Sequence, residues 1–258
     1  MRVLIFVIFL ISTLLMLTST LVSNELDNFT AAVWESPNGG RFNYRHRAPD
    51  KVESNKKYPI LVMLHGAGGR SKDNKKQLLD ADAIDALAKH GVSSTFESYI
   101  FAGQVPPGQQ WVDVKWNTLE HKMPEISDSM RMLFESLDVF IKKNQVDTSR
   151  IYVLGLSMGG YGTWDAIQRR PDFFAAAVPI CGGGDKSMAK DIAQVPVWVF
   201  HGEKDPVIDV SRSRDMVNSM KAAGGNPKYT EVKGRGHNSH VDVWNNSEVW
   251  KWLYHQKK

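Results

Sequence analysis

The chain has 258 residues and a formal net charge of +4, enough for one sizeable core and within the range of a single α/β domain. Hydrophobic residues make up 42% and charged residues 23%, which excludes a disordered chain. Lysine and arginine are scattered among acids with no long basic stripe, which argues against nucleic-acid binding, and Cys181 is the sole cysteine, so no intramolecular disulfide can form.

Arg2 precedes an uncharged apolar run from Val3 to Leu17, followed by Thr18-Ser19-Thr20-Leu21-Val22-Ser23. A short positive start, an apolar centre and a small-residue exit read as an export signal over residues 1–23, with a single domain over residues 24–258. An exported protein, periplasmic or extracellular, is expected. The uncharged stretch also approaches a spanning length, so an uncleaved membrane anchor is the competing reading.

Residues 24–40 are polar and end in the turn cluster Pro37-Asn38-Gly39-Gly40. Arg41–Arg47 alternates Phe42, Tyr44 and His46 with polar residues, as an edge strand does. Pro59–Leu64 is continuously apolar and reads as a strand buried on both faces. Helical spacing follows over Leu78–His90, then a short strand over Ser98–Ala102. A loop rich in glycine, proline and glutamine leads to Trp111 and Trp116. Ile126–Lys143 carries a helical apolar face of Met130, Leu133, Phe134, Leu137 and Ile141. Further strands are expected at Ile151–Leu154, Ala175–Ile180, Val195–Phe200 and Tyr229–Val232, and helices at Gly160–Arg170, Ser211–Ala223 and from Val249. Continuous apolar strands alternating with helices predict an α/β fold: a mainly parallel central sheet flanked by helices on both faces, with its site at the carboxyl ends of the strands.

The motif carrying the most chemistry is Gly155-Leu156-Ser157-Met158-Gly159-Gly160, between a strand and a helix. That is the setting of a nucleophile elbow, where a serine sits on a sharp strained turn and its neighbours two residues away must lack side chains. A serine hydroxyl needs a base to take its proton. In this fold class the acid comes next in the chain and the histidine last. Asp205, just past the strand Val195–Phe200, fills the acid's place, with Asp209 the competitor and Asp185 and Glu203 weaker ones. His237, between the last strand and the closing helix, fills the base's place, with His240 its local rival. His65-Gly66-Ala67-Gly68-Gly69 follows Pro59–Leu64 and can bring backbone amides to a substrate oxygen; Ala67 and Met158 are the expected oxyanion donors, with Gly68 the alternative to Ala67. His65 reads as a brace for this loop. Trp111 is expected to form a substrate-binding wall, packing of the loop being the other reading. Trp164 reads as core and Cys181 as an inert buried thiol. No cofactor and no metal are expected, since His237-x-x-His240 lacks an accompanying carboxylate or thiol cluster.

On these residues the chain resembles the α/β-hydrolases of the phospholipase/carboxylesterase and dienelactone-hydrolase-like group, in particular exported bacterial esterase- and peptidase-like proteins. The shared stretches are Leu64–Gly69, Asp147–Trp164, Pro171–Gly184, Pro196–Ile208 and the glycine-histidine ending at His237, within roughly residues 40–256. The resemblance implies the α/β-hydrolase fold, Ser157 as nucleophile, Asp205 as acid, His237 as base, and cleavage of carboxylic esters, either small molecules or acyl groups on carbohydrates. No specific protein partner is implied. A serine peptidase on the same fold is the alternative, and a carbohydrate-binding protein without catalysis is a more distant one. The chain departs from the group at Gly103-Gln104 and at Asn238-Ser239-His240, which bears on specificity rather than on the three reacting residues.

Overall fold

A computed structural model describes residues 25–258. The export-signal reading of residues 1–23 lies outside them. Eight strands form one sheet: β1 (Thr30–Glu35), β2 (Arg41–Arg47), β3 (Tyr58–Leu64), β4 (Tyr99–Gln104), β5 (Val146–Leu156), β6 (Ala176–Ile180), β7 (Trp198–Gly202) and β8 (Lys228–Val232), in the spatial order β1-β2-β4-β3-β5-β6-β7-β8. The pairs β1–β2 and β2–β4 are antiparallel, and all others are parallel.

Why the central strands read as unbroken apolar runs is visible in β3, every residue of which is buried. Successive side chains of a strand point to opposite faces. Ile60, Val62 and Leu64 enter one core, and Leu61 and Met63 enter the other. The first core lies under α3 (Asp128–Lys143), α4 (Met158–Arg169) and α5 (Ser211–Ala222), through residues such as Leu133, Ile167 and Met216. The second lies under α2 (Ala83–Lys89) and α7 (Ser247–His255), through Ile84, Leu87, Trp250 and Leu253. Two short helices, α1 (Lys76–Leu79) and α6 (His240–Trp244), lie beside these. Among the described residues, no helix is long and apolar enough to cross a membrane.

Two sequence expectations are corrected. Arg41–Arg47 is not at the edge, because Thr30–Glu35 pairs outside it in full register. Residues 30–35 are mostly exposed and give little apolar alternation, so the strand is held by its ladder and by the Trp34 indole N–H, which donates to Glu135 at 2.9 Å. The helix expected over Leu78–His90 is broken. Ala81 and Asp82 take left-handed backbone angles, φ 53° and 55°, and a 3-10 turn at Asp80–Asp82 separates α1 from α2. That break places Asp80 beneath the loop that follows β3.

Candidate active site

The serine turn follows from local sterics. β5 runs into Ser157, which has φ 57° and ψ −115°, and α4 starts at Met158. A non-glycine residue held there costs roughly 1–3 kcal/mol and persists only where its surroundings fix it. They do so here. The Ser157 N–H donates to the Ile180 carbonyl at the end of β6, at 2.8 Å. A Cβ on Gly155 would strike the Gly159 carbonyl, and one on Gly159 would strike the carbonyl of Leu64 at the end of β3. Glycine at 155 and 159 therefore lets the first turn of α4 wedge against the end of the neighbouring strand.

Ser157 Oγ lies 2.9 Å from His237 Nε2, and His237 Nδ1 lies 2.7 Å from Asp205 Oδ2. The three residues come from separate loops, beyond β5, β7 and β8, all at the carboxyl edge of the sheet. The acid and base loops are sewn together. The Lys204 N–H donates to the Arg235 carbonyl at 2.9 Å, and the Gly234 N–H to Glu203 at 2.7 Å. Accessibility is graded: the Asp205 side chain is 0% exposed and that of His237 27%. Burial by itself would raise the Asp205 carboxyl. Hydrogen bonds from His201, His237 and the N–H groups of Ile208 and Val207 outweigh it and hold the group well below the usual carboxylate range. The acid therefore faces the imidazole as an anion, able to orient it and to stabilise the imidazolium.

The rival residues do not reach His237. Asp209 is exposed and accepts from the Ser211 N–H at 2.8 Å. Asp185 accepts from the Met123 and Ser187 N–H groups, and Glu203 is spent on Gly234. His240 opens α6 with its ring tilted against Trp244, its Nδ1 without a partner, and burial lowering its pKa.

The loop after β3 arches over the serine: a Cβ on Gly66 would lie 3.8 Å from that of Ser157. Ala67 opens a 3-10 turn over Ala67–Gly69, and Met158 opens α4. First-turn amides have no partner within their own helix, so the Ala67 and Met158 N–H groups are not used by the turns they open. Behind the loop, the Asp80 carboxylate lies so close to Gly66 and Gly68 that a Cβ on either would strike its oxygens, and burial raises its carboxyl. His65 braces the loop from the other side. Its Nε2 accepts from the Val105 N–H at 3.0 Å and its Nδ1 donates to the Gly66 carbonyl at 2.6 Å, while burial pulls its pKa down to about 4. It is a neutral strut.

The sequence profile of the dienelactone hydrolase family matches residues 45–238, a span holding the oxyanion-type loop, Ser157, Asp205 and His237. The chain belongs to the dienelactone hydrolase family. The chain superposes on the crystal structure of a thermostable esterase with a TM-score of 0.84 at 35% identity, over 90% of this chain and 64% of that one. It is 27% identical over 228 residues to an uncharacterized secreted protein of Arthroderma benhamiae, covering 74% of this chain and 23% of the relative. It is also 27% identical over 193 residues to the bifunctional acetylxylan esterase/xylanase XynS20E of Neocallimastix patriciarum, covering 72% of this chain and 25% of that protein. The chain thus spans less than two thirds of the length of each of these relatives.

One expectation about this member of the dienelactone hydrolase family is overturned. Trp111 does not form a substrate wall. It is 0% exposed, its indole N–H donates to the His65 carbonyl at 3.0 Å, and its Cβ would crowd a Cβ on Gly162 at 2.8 Å. Ser127, the residue that caps α3, donates its hydroxyl to the Trp111 carbonyl at 2.7 Å. Trp111 therefore ties the long loop to the oxyanion-type loop from inside. Trp111→Ala should cost about 3–5 kcal/mol of stability, the range for an emptied buried aromatic site. Activity should fall by the same factor on acetyl and on bulky esters, as read from denaturant unfolding and paired kcat/KM values.

One helical turn along α4, a group of polar side chains packs inside the protein around Tyr161, which is 1% exposed. The Tyr161 hydroxyl donates to the Trp116 carbonyl at 3.2 Å, and its ring lies 5.5 Å from the Arg212 guanidinium. Arg212 is 3% exposed, hydrogen-bonds His121 and keeps an unpartnered Nε. Asp80, His201 and Arg212 were not singled out from the sequence. Each lies in an ordinary helix, strand or helix-start pattern and acquires its place only through packing. Cys181, His201 and Asp205 bring ligand-type atoms within 4.8 Å of one another. Burial pushes the Cys181 thiol up to about 12, the sulfur shares a 2.8 Å hydrogen bond with Ser239, and the other two side chains are taken up by hydrogen bonds. A metal there would have to displace the acid from His237.

Proposed function

We propose that the chain is an exported serine hydrolase that cleaves carboxylic esters through an acyl-enzyme. The observation that carries the reading is the Ser157 Oγ to His237 Nε2 separation of 2.9 Å at a strained turn, with Asp205 held ionised behind it. Ser157 Oγ attacks the ester carbonyl carbon while His237 takes its proton. Asp205 stabilises the imidazolium. The amides of Ala67 and Met158 receive the oxyanion. His237 then gives the proton to the departing alcohol, and water, activated by the same imidazole, releases the acid.

The substrates of this reading are modest-sized esters, such as acyl groups on carbohydrates. Similarity to an acetylxylan esterase/xylanase supports the same substrate class, and similarity to a secreted protein supports export. The test is a panel of p-nitrophenyl acetate, feruloyl esters, acetylated xylan and short peptides, with a fluorophosphonate probe as a substrate-independent label. Ester turnover and labelling that maps to Ser157 are expected. Peptide cleavage without ester cleavage would move the assignment to a peptidase, and no labelling would end the hydrolase reading.

A further inference from the structure

His201 sits at the penultimate position of β7 with 0% exposure, four residues before Asp205. Its Nε2 faces two acceptors, the Ile208 carbonyl at 3.0 Å and Asp205 Oδ2 at 3.3 Å. A nitrogen between two oxygen acceptors must carry the proton. Its Nδ1 lies 2.7 Å from the Ser213 hydroxyl on α5, which in turn lies 3.1 Å from the Gly182 carbonyl beyond β6. The ring is thus pinned at both nitrogens and cannot swing away from the acid.

The Asp205 carboxylate receives donors on both oxygens. The N–H groups of Val207 and Ile208 reach Oδ1 at 2.9 and 3.0 Å. Oδ2 takes His237 Nδ1 at 2.7 Å and His201 Nε2 at 3.3 Å. Rotating the carboxylate away from His237 would therefore break the His201 contact as well.

We propose that His201, supported by Ser213, is a positioning residue for the reaction, fixing Asp205 Oδ2 toward His237 through a 3.3 Å contact from its Nε2. This rests on the serine hydrolase reading above. The chain Ser157–His237–Asp205–His201–Ser213–Gly182 joins the carboxyl ends of β5, β6, β7 and β8. His201 touches no reacting atom, so its loss acts on the orientation of His237 and hence on kcat rather than on substrate binding.

The test compares His201→Phe, which keeps an aromatic ring and removes both hydrogen bonds, with His201→Gln, whose amide keeps a donor for Asp205. Ser213→Ala removes only the far support. With p-nitrophenyl acetate, His201→Phe should lower kcat about 10- to 100-fold, the scale of one hydrogen bond to a charged group. KM should stay within about twofold, His201→Gln should recover most of the loss, and Ser213→Ala should show a smaller fall. The downfield N–H resonance of the His237–Asp205 hydrogen bond, read by NMR without substrate, should shift or broaden in His201→Phe and Ser213→Ala. A folded His201→Phe with wild-type kcat, or an unmoved resonance, overturns the proposal. If His201→Phe does not fold, Ser213→Ala decides by the same two readouts. Failure of the hydrolase reading shows separately, as wild-type protein inert to esters and to fluorophosphonate; the resonance still tests the positioning role in that case.

Discussion

Ser157→Ala should abolish ester hydrolysis while leaving the protein folded, with kcat lower on the order of 10⁵–10⁶-fold, as in other enzymes where the serine and histidine act as a unit. Removing one oxygen from a side chain that is 8% exposed leaves no large cavity. The main-chain bond from residue 157 to the Ile180 carbonyl, at 2.8 Å, does not depend on the side chain. Thermal unfolding should therefore stay within a few degrees of wild type, on the scale of a small change in free energy. Steady-state turnover, together with loss of fluorophosphonate labelling, checks the result. More than a few per cent residual activity in protein free of wild type would remove Ser157 from the reaction.

His237→Ala should come within about tenfold of the serine loss, because a serine without its base is left with a proton it cannot shed. His240→Ala should leave kcat within a few-fold of wild type. The two histidines are three residues apart, but only His237 reaches both Ser157 and Asp205, at 2.9 and 2.7 Å. His240 packs beside Trp244 with an unpartnered Nδ1, so its removal acts on stability and not on proton transfer. Turnover of both variants, each shown to fold by circular dichroism, decides between them. If His240→Ala is the inactive one, the base has been misassigned.

Most of the architecture was legible because it depends on patterns a few residues long. Unbroken apolar runs at residues 59–64, 151–154 and 175–180 reported strands with a core on each side, and strands are found there. The place of Ser157 was legible because the elbow demands glycine at 155 and 159, where any Cβ would meet backbone. The places of Asp205 and His237 followed from chain order, each in a loop after its own strand.

Where the reading failed, the deciding partner lay far along the chain. Thr30–Glu35 shows little apolar signal, and its identity as a strand comes from pairing with Arg41–Arg47 and from Glu135 on α3. Trp111 lies in a glycine- and proline-rich stretch that looks like a surface loop. It points inward because the His65 carbonyl accepts its N–H and Gly162 leaves room for the ring.

The sequence by itself therefore determined the α/β layering, the serine turn and the placing of Ser157, Asp205 and His237 in loops after successive strands, since each rests on side-chain periodicity, on steric limits within one turn or on chain order. Only the tertiary structure decided the support. It brought Asp80 under Gly66 and Gly68, set His201 against Asp205, and put His237 rather than His240 against Ser157. The physical reason is that hydrogen bonds have directions. A carboxylate or imidazole acts according to which donors and acceptors face it, and here those are contributed by loops from different strand ends.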